Sequence, residues 1–313
     1  MDKNFLMGSN DFLSRNPSSK RLDTSITEDL RQSLLKIGMN TSFSFYGDFF
    51  NKDTSKLDLD FLTKNYLQDL AEAEKFKLFE TGGIKQKDHL NFWCLSKLLS
   101  PKLYVESGVF IGSSLHAFSK AKSLEKIIAI DPNLTALRIP KKELSAAEFI
   151  GNLDFSQIQI DDVPKESLVY FDDHINTASR IIQAKKKGFK YLLFDDSTGI
   201  EGICQRLYPA TPTVPMILNY QVLKPGHVIE WDWTVPYNTK RTLKRRIKDL
   251  TGIGSTNNYR VQLKIDTFLI QQCQEAYSLI KQHSKIPDLG EFVLQTTPEG
   301  TIDTTKYIIE LID

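Results

Sequence analysis

Two pairs of aspartates, Asp172-Asp173 and Asp195-Asp196, each close a short apolar run of strand type, and His174 directly follows the first pair. Carboxylates placed this way suit a hard divalent cation such as Mg²⁺, which prefers oxygen ligands. The expected ligands are Asp172 or Asp173 together with Asp195 and Asp196. Such a cation would lower the pKa of a coordinated hydroxyl and fix its direction. His174, with an ordinary pKa of about 6.5, suits a general base, and Asp173 is the second acid–base candidate. Four carboxylates so close would otherwise repel one another and take up protons. Aspartates also cap helices and make turns, so a purely structural use of both pairs stays open. No second histidine or cysteine stands at ligand spacing, which argues against Zn²⁺.

A second group of residues lies upstream, in Glu106-x-Gly108-x-x-x-Gly112-x-Ser114, with Ser113 between the last two and Asp131 19 residues after Gly112. Leu103 to Val105 before it is a short apolar run, Leu115 to Lys120 has helical character, and Lys126 to Ile130 is a second buried run ending on Asp131. This strand–turn–helix–strand order opens a βαβ unit, in which a glycine turn lets a ligand approach the backbone. Asp131 falls where such folds place an acid that accepts hydrogen bonds from ribose hydroxyls. A nicotinamide-binding turn would read G-x-G-x-x-G, and Glu106, one residue past the apolar run, would repel its pyrophosphate. A cofactor without phosphate, carrying an ammonium and a sulfonium, would be attracted instead.

That description fits S-adenosylmethionine, and the segment resembles the first motif of class I S-adenosylmethionine-dependent methyltransferases. Its E-x-G-V-aromatic-x-G-x-S form looks most like the macrocin O-methyltransferase and cephalosporin-hydroxylase-like branches, which share Phe110 in place of a middle glycine. The resemblance covers about residues 85 to 235. It implies cofactor contacts from Glu106, Gly108, Gly112, Ser113 and Asp131, and from Asp154 after the third strand, whose carboxylate would accept the adenine amino group. It also implies a metal between the ends of strands four and five, where Asp172-Asp173-His174 looks like an I-D-G-D-H motif shortened by one residue. The implied reaction is methyl transfer to a hydroxyl of a small molecule, with a sugar or glycoside among the candidates. A non-catalytic binding or assembly protein on the same core, and a nicotinamide-dependent oxidoreductase, are the alternatives.

These residues need a frame to hold them. Five strand-like segments, the others being Ala147 to Ile150, Leu168 to Phe171 and Lys190 to Phe194, alternate mostly with helical ones. That order predicts an α/β fold of Rossmann-like type, a doubly wound, mostly parallel sheet with helices on both faces. Ligands of such sheets bind beyond the carboxyl ends of the strands, where all the acids above fall. The expected organisation is a polar tail over 1–25, a helical extension over 26–100, the cofactor-binding core over 101–235, and C-terminal helices with a final strand over 236–313. In the extension, helices are expected from Ile26 to Ile37, ending near Gly38, and from Leu57 to Phe79, with Phe61, Leu62, Tyr66 and Leu70 on its apolar side and Gly82-Gly83 as a break, and then from His89 to Leu99. The aromatic stretch from Phe43 to Phe50 lacks helical character and reads as packed core, with an exposed flap over a substrate or a second subunit as the alternative. Residues 134–146 are expected as a loop and helix, and a helix from Thr177 to Lys187 should stop at Gly188. Leu218 to Leu223 and His227 to Trp233 suggest a hairpin about Lys224-Pro-Gly226. Residues 251–258 read as a loop, Val261 to Ser284 as a helix, and Lys306 to Ile312 as a strand.

Composition excludes little but does exclude something. The 313 residues carry 40 basic and 39 acidic side chains, so no global field points to nucleic acid or membrane. The basic run over 240–248 therefore reads as a solvated helix face, or secondarily as a cap for an acidic substrate. Three widely spaced cysteines suggest neither a disulfide framework nor a metal site, and a reducing cytoplasm is the expected compartment. No apolar run reaches the ~20 residues of a membrane helix. Self-association is left open.

Overall fold

Strands Leu103–Ser107 (β1), Lys126–Ile130 (β2), Ala147–Ile150 (β3), Ser167–Phe171 (β4) and Tyr191–Ser197 (β5) pair in parallel in the order β3-β2-β1-β4-β5. Ile280–Lys285 (β8) and Thr305–Leu311 (β9) complete a seven-stranded sheet. β9 inserts antiparallel between β5 and β8. This computed structural model describes residues 27–79, 83–197, 211–234, 258–290, 292–293 and 305–313. The expected tail over 1–25, Gly82, and the basic run over 240–248 lie outside the described residues, as does most of the loop expected over 251–258.

Every residue of β1 and β4 is buried, as strands covered on both faces must be. Alternation divides their side chains between two cores. Tyr104, Leu168, Tyr170, Leu193 and Ile308 face helices Glu28–Phe50 (α1), Leu59–Lys75 (α2), Gln86–Leu99 (α3) and Ser113–Ser119 (α4). Val105, Val169, Phe171, Leu192, Phe194 and Ile309 face Thr177–Lys186 (α5), Val214–Leu218 (α6) and Thr267–Ser278 (α7). The architecture is thus the expected doubly wound sheet behind a helical N-terminal region. Gly188, at φ +89°, ends α5 as its sequence suggests.

Several local expectations are corrected. α1 does not stop at Gly38 but runs on to Phe50, and the aromatic stretch from Phe43 is helical. A Cβ at Gly38 would lie 3.0 Å from Phe292 Cβ, so this glycine serves close packing, not termination. Phe43, Tyr46 and Phe49 are buried, so the packing reading of the stretch holds while tertiary burial overrides weak propensity. On α2, Tyr66 and Leu70 are buried, but Phe61 is 55% exposed. Residues 134–146 form only two 3₁₀ turns, Leu134–Ala136 and Lys141–Glu143, the second directly after Pro140. The expected hairpin is replaced by α6, capped by Thr213, and by Val228–Thr234 (β6), whose partner is the distant Asn258–Lys264 (β7). The single helix expected over 261–284 is three elements, β7, α7 and β8. Asp266 caps α7 by accepting the Leu269 N–H at 2.7 Å. β8 alternates half-buried and exposed residues along β9, a period of two that the helical reading missed. Among the described residues no helix is long and apolar enough to cross a membrane.

Candidate functional site

The turn after β1 is built around Asp131 at the end of β2. Its Oδ2 accepts the backbone N–H of Val109 at 2.9 Å and of Phe110 at 2.7 Å, and its Oδ1 accepts that of Asn133 at 2.6 Å. Phe110 holds φ +46° with its side chain 44% exposed at the surface of the turn. A left-handed backbone costs a non-glycine residue ~1–2 kcal/mol. Charge-assisted hydrogen bonds of ~1.5–3 kcal/mol each offset that cost. The acid anticipated as a ribose ligand is therefore first the clamp of its own turn.

Gly108 and Gly112 are required by the backbone, at φ +93° and +90°. The close approach at Gly108 is to the protein itself. A Cβ there would stand 2.2 Å from the carbonyl oxygen of Asp172, so a larger residue collides with the end of β4 before it meets any ligand. A Cβ at Gly112 would meet Leu137 Cδ1 at 2.7 Å. Ser113 donates to the carbonyl of Leu78 at 2.5 Å and ties α4 to the segment after α2.

Glu106 is fully buried beneath the turn. It accepts hydrogen bonds from Tyr104 Oη and Ser114 Oγ, both at 2.6 Å. Burial raises its pKa to about 8, against the lowering effect of those two bonds. The carboxyl expected to attract a cation is thus protonated at neutral pH until a positive charge is brought near it.

At the ends of β4 and β5 the acids divide between the two faces of the sheet. On the α5 side, buried Arg180 binds Asp154 through both carboxylate oxygens, at 3.0 and 2.5 Å, and its Nη2 lies 2.7 Å from Asp173 Oδ2. Ser107 donates to the same Asp173 oxygen at 2.5 Å. The Arg180 hydrogen bond holds Asp154 well below the usual carboxylate range. Burial raises Asp173 despite Arg180 and Ser107. Asp154 is therefore committed to Arg180, which competes with any bond to an adenine amino group.

On the α3 side, Lys306 of β9 places Nζ 3.0 Å from Asp195 Oδ1 and 3.3 Å from Asp88 Oδ2. Tyr170 Oη donates to Asp195 Oδ2 at 2.8 Å. Burial alone would lower the Lys306 pKa, but Asp195 and Asp88 outweigh it and hold the ammonium charged. Asp172 adds its negative charge to the field that keeps Lys306 charged, after Asp195 and Asp88, and its backbone N–H donates to Ser107 O at 2.8 Å. His174 follows in a left-handed conformation, φ +55° and half-buried. The side chain of Asp196 lies outside the described residues.

Of the acids expected around a single metal, two are seen in other company. Asp173, one of the two alternatives at the end of β4, and Asp195 belong to separate ion-paired groups. Among the described residues no three His, Cys, Asp or Glu side chains gather where an ion could be held. Arg180 supplies positive charge to Asp154 and Asp173, and Lys306 supplies it to Asp88 and Asp195. Asp88, Arg180, Tyr170 and Lys306 escaped the sequence reading. Arg180 sits in an amphipathic helix, and Lys306 reaches the site only through the insertion of β9.

No protein-family model matches the chain, and no curated protein matches it. Solved structures do. An O-methyltransferase from Bacillus cereus in complex with SAH is 10% identical, with a TM-score of 0.38 and 97% of each chain covered. An SAH-bound methyltransferase from Podospora anserina is 9% identical, with a TM-score of 0.37, covering 100% of this chain and 98% of that one. CmcI with Mg and SAM is 22% identical, with a TM-score of 0.28, covering 35% of this chain and 50% of that one. At such distances the likenesses assign no activity.

Proposed function

We propose that the chain binds S-adenosylmethionine at the turn between β1 and α4 and transfers its methyl group to a hydroxyl of a small molecule, a sugar or glycoside being the class favoured by the motif. The observation that carries this reading is the bond from Asp131 to the Val109 and Phe110 amides. Those N–H groups are the donors a dinucleotide pyrophosphate would need, and a carboxylate already holds them. A cofactor without phosphate leaves that clamp in place. Glu106 beneath the turn is the second support, since a carboxyl at about 8 ionises readily beside a positive charge.

When bound, S-adenosylmethionine supplies an electrophilic methyl group on a positively charged sulfur. The chain's own residues orient the partners and remove a proton, and positioning supplies much of the acceleration in such displacements. Asp131 retains acceptor capacity for ribose hydroxyls beyond the three N–H groups it holds. His174, at the carboxyl end of β4, is the base we assign to the acceptor hydroxyl. Asp173, bound by Arg180 and Ser107, braces that strand end.

The reading is tested by thermal shift with S-adenosylhomocysteine and with NAD in parallel. A ligand at ~100 times its Kd stabilises the folded state by about 2.7 kcal/mol, a shift of several degrees. Stabilisation by S-adenosylhomocysteine alone is expected; stabilisation by NAD alone would assign a nicotinamide enzyme. Asp131→Ala should weaken S-adenosylhomocysteine binding about tenfold or more by calorimetry, because both the clamp and the ribose acceptor are lost. Undiminished affinity would move the cofactor away from this turn.

A further inference from the structure

Lys306 is 6% exposed and stands between an acid from the α3 N-terminus and an acid from the end of β5. Asp195 has its second oxygen filled by Tyr170. Arg180, on the opposite face, performs the same neutralisation for Asp154 and Asp173. A divalent cation needs carboxylate oxygens converging on one point at ~2.0–2.6 Å, with no ammonium among them. An ion entering between Asp88 and Asp195 would have to expel a buried lysine, leaving its positive charge beside the metal.

We infer that Lys306 takes the place of a divalent cation in this site, so that Asp195 and Asp88 are held by the chain's own positive charge and the proposed methyl transfer proceeds without a metal. The first half is a statement about ion binding and stands by itself; the second rests on the function proposed above. An ammonium brings charge without coordination, so it cannot activate a hydroxyl by binding it as a metal would. Proton removal then falls to a side chain, and Lys306, ion-paired with Asp195 and Asp88, is a positioning residue.

The test is electron paramagnetic resonance with Mn²⁺ as a visible substitute for Mg²⁺, on the full chain, comparing wild type, Asp195→Asn, Lys306→Ala and the Lys306→Ala/Asp195→Asn double variant. Wild type and Asp195→Asn should take up Mn²⁺ equally, showing that Asp195 holds none. Lys306→Ala, which leaves the carboxylates uncompensated, should gain Asp195-dependent uptake at about tenfold or higher affinity. Uptake by wild type that Asp195→Asn abolishes would overturn the inference, as would a folded Lys306→Ala that gains none. Should Lys306→Ala fail to fold, the wild-type and Asp195→Asn pair decides the matter alone. Calorimetry with S-adenosylhomocysteine on the same samples reads the cofactor site separately. Failure there would withdraw the methyl-transfer half and leave the ion-binding half standing.

Discussion

Arg180→Met is expected to destabilise the protein by ~3–5 kcal/mol, the range for removing one partner from a buried charge group. Arg180 is 1% exposed, binds two carboxylates, and lies 5.7 Å from the ring centres of both Phe155 and Phe171. Methionine fills much of the volume but strands Asp173, left with hydrogen bonds from Ser107 Oγ and the Ile175 backbone N–H and no compensating charge from Arg180. Arg180→Lys should recover little, because a single ammonium cannot reproduce the two-pronged contact with Asp154. Asp173→Asn added to Arg180→Met should restore part of the loss. Urea unfolding of the four proteins forms the check, and a variant within about 1 kcal/mol of wild type would show that the group is structurally idle.

Glu106→Gln is expected to remove a large pH dependence of stability. Below its ordinary value of 4.5 the carboxyl is neutral in both folded and unfolded chains, and above about 8 it is ionised in both. Between these limits only the unfolded chain releases its proton, so this group makes stability fall as pH rises through the window. At about 1.4 kcal/mol per unit, the loss at the alkaline end is on the order of a few kcal/mol. The amide can still bond Tyr104 and Ser114, whose hydroxyls accept as well as donate. Glu106→Gln should therefore match wild type near pH 5 and exceed it near about pH 8.5. Parallel unfolding curves at the two pH values would refute the raised pKa. If the cofactor's positive charge rests above Glu106, binding at neutral pH should also release a proton into the buffer, and the glutamine variant should release none.

The core of the fold was legible because β1 to β5 are short, apolar and punctuated by glycine and aspartate, signals that are local in sequence. The glycine turn and Asp131 were legible for the same reason. What the acids do was not. Asp154 reads as an adenine contact and Asp173 as a metal ligand or acid–base group until Arg180, on the helix after Asp173, is placed beside both. Asp195 looks like half of a metal pair until β9 inserts beside β5 with Lys306 at its second residue. The reversal of β9, the pairing of β6 with β7 and the break between α7 and β8 depend on distant partners. Gly38 misled for a related reason: a glycine that admits Phe292 and one that ends a helix are the same letter.

The placement of β9 also sets an order of events for folding. Tyr191 of β5 pairs with Glu310, so the inner edge of the parallel sheet closes only when a segment from far along the chain arrives. Closing so long a loop costs entropy before its contacts are gained, which slows the step relative to the local β1–α4–β2 unit. Until then β5 presents a free edge of apolar strand, Leu192-Leu-Phe194, ending on an acid whose lysine partner has not yet arrived. An open edge of that kind recruits strands from other molecules. Aggregation during refolding should therefore track the delay before β9 docks.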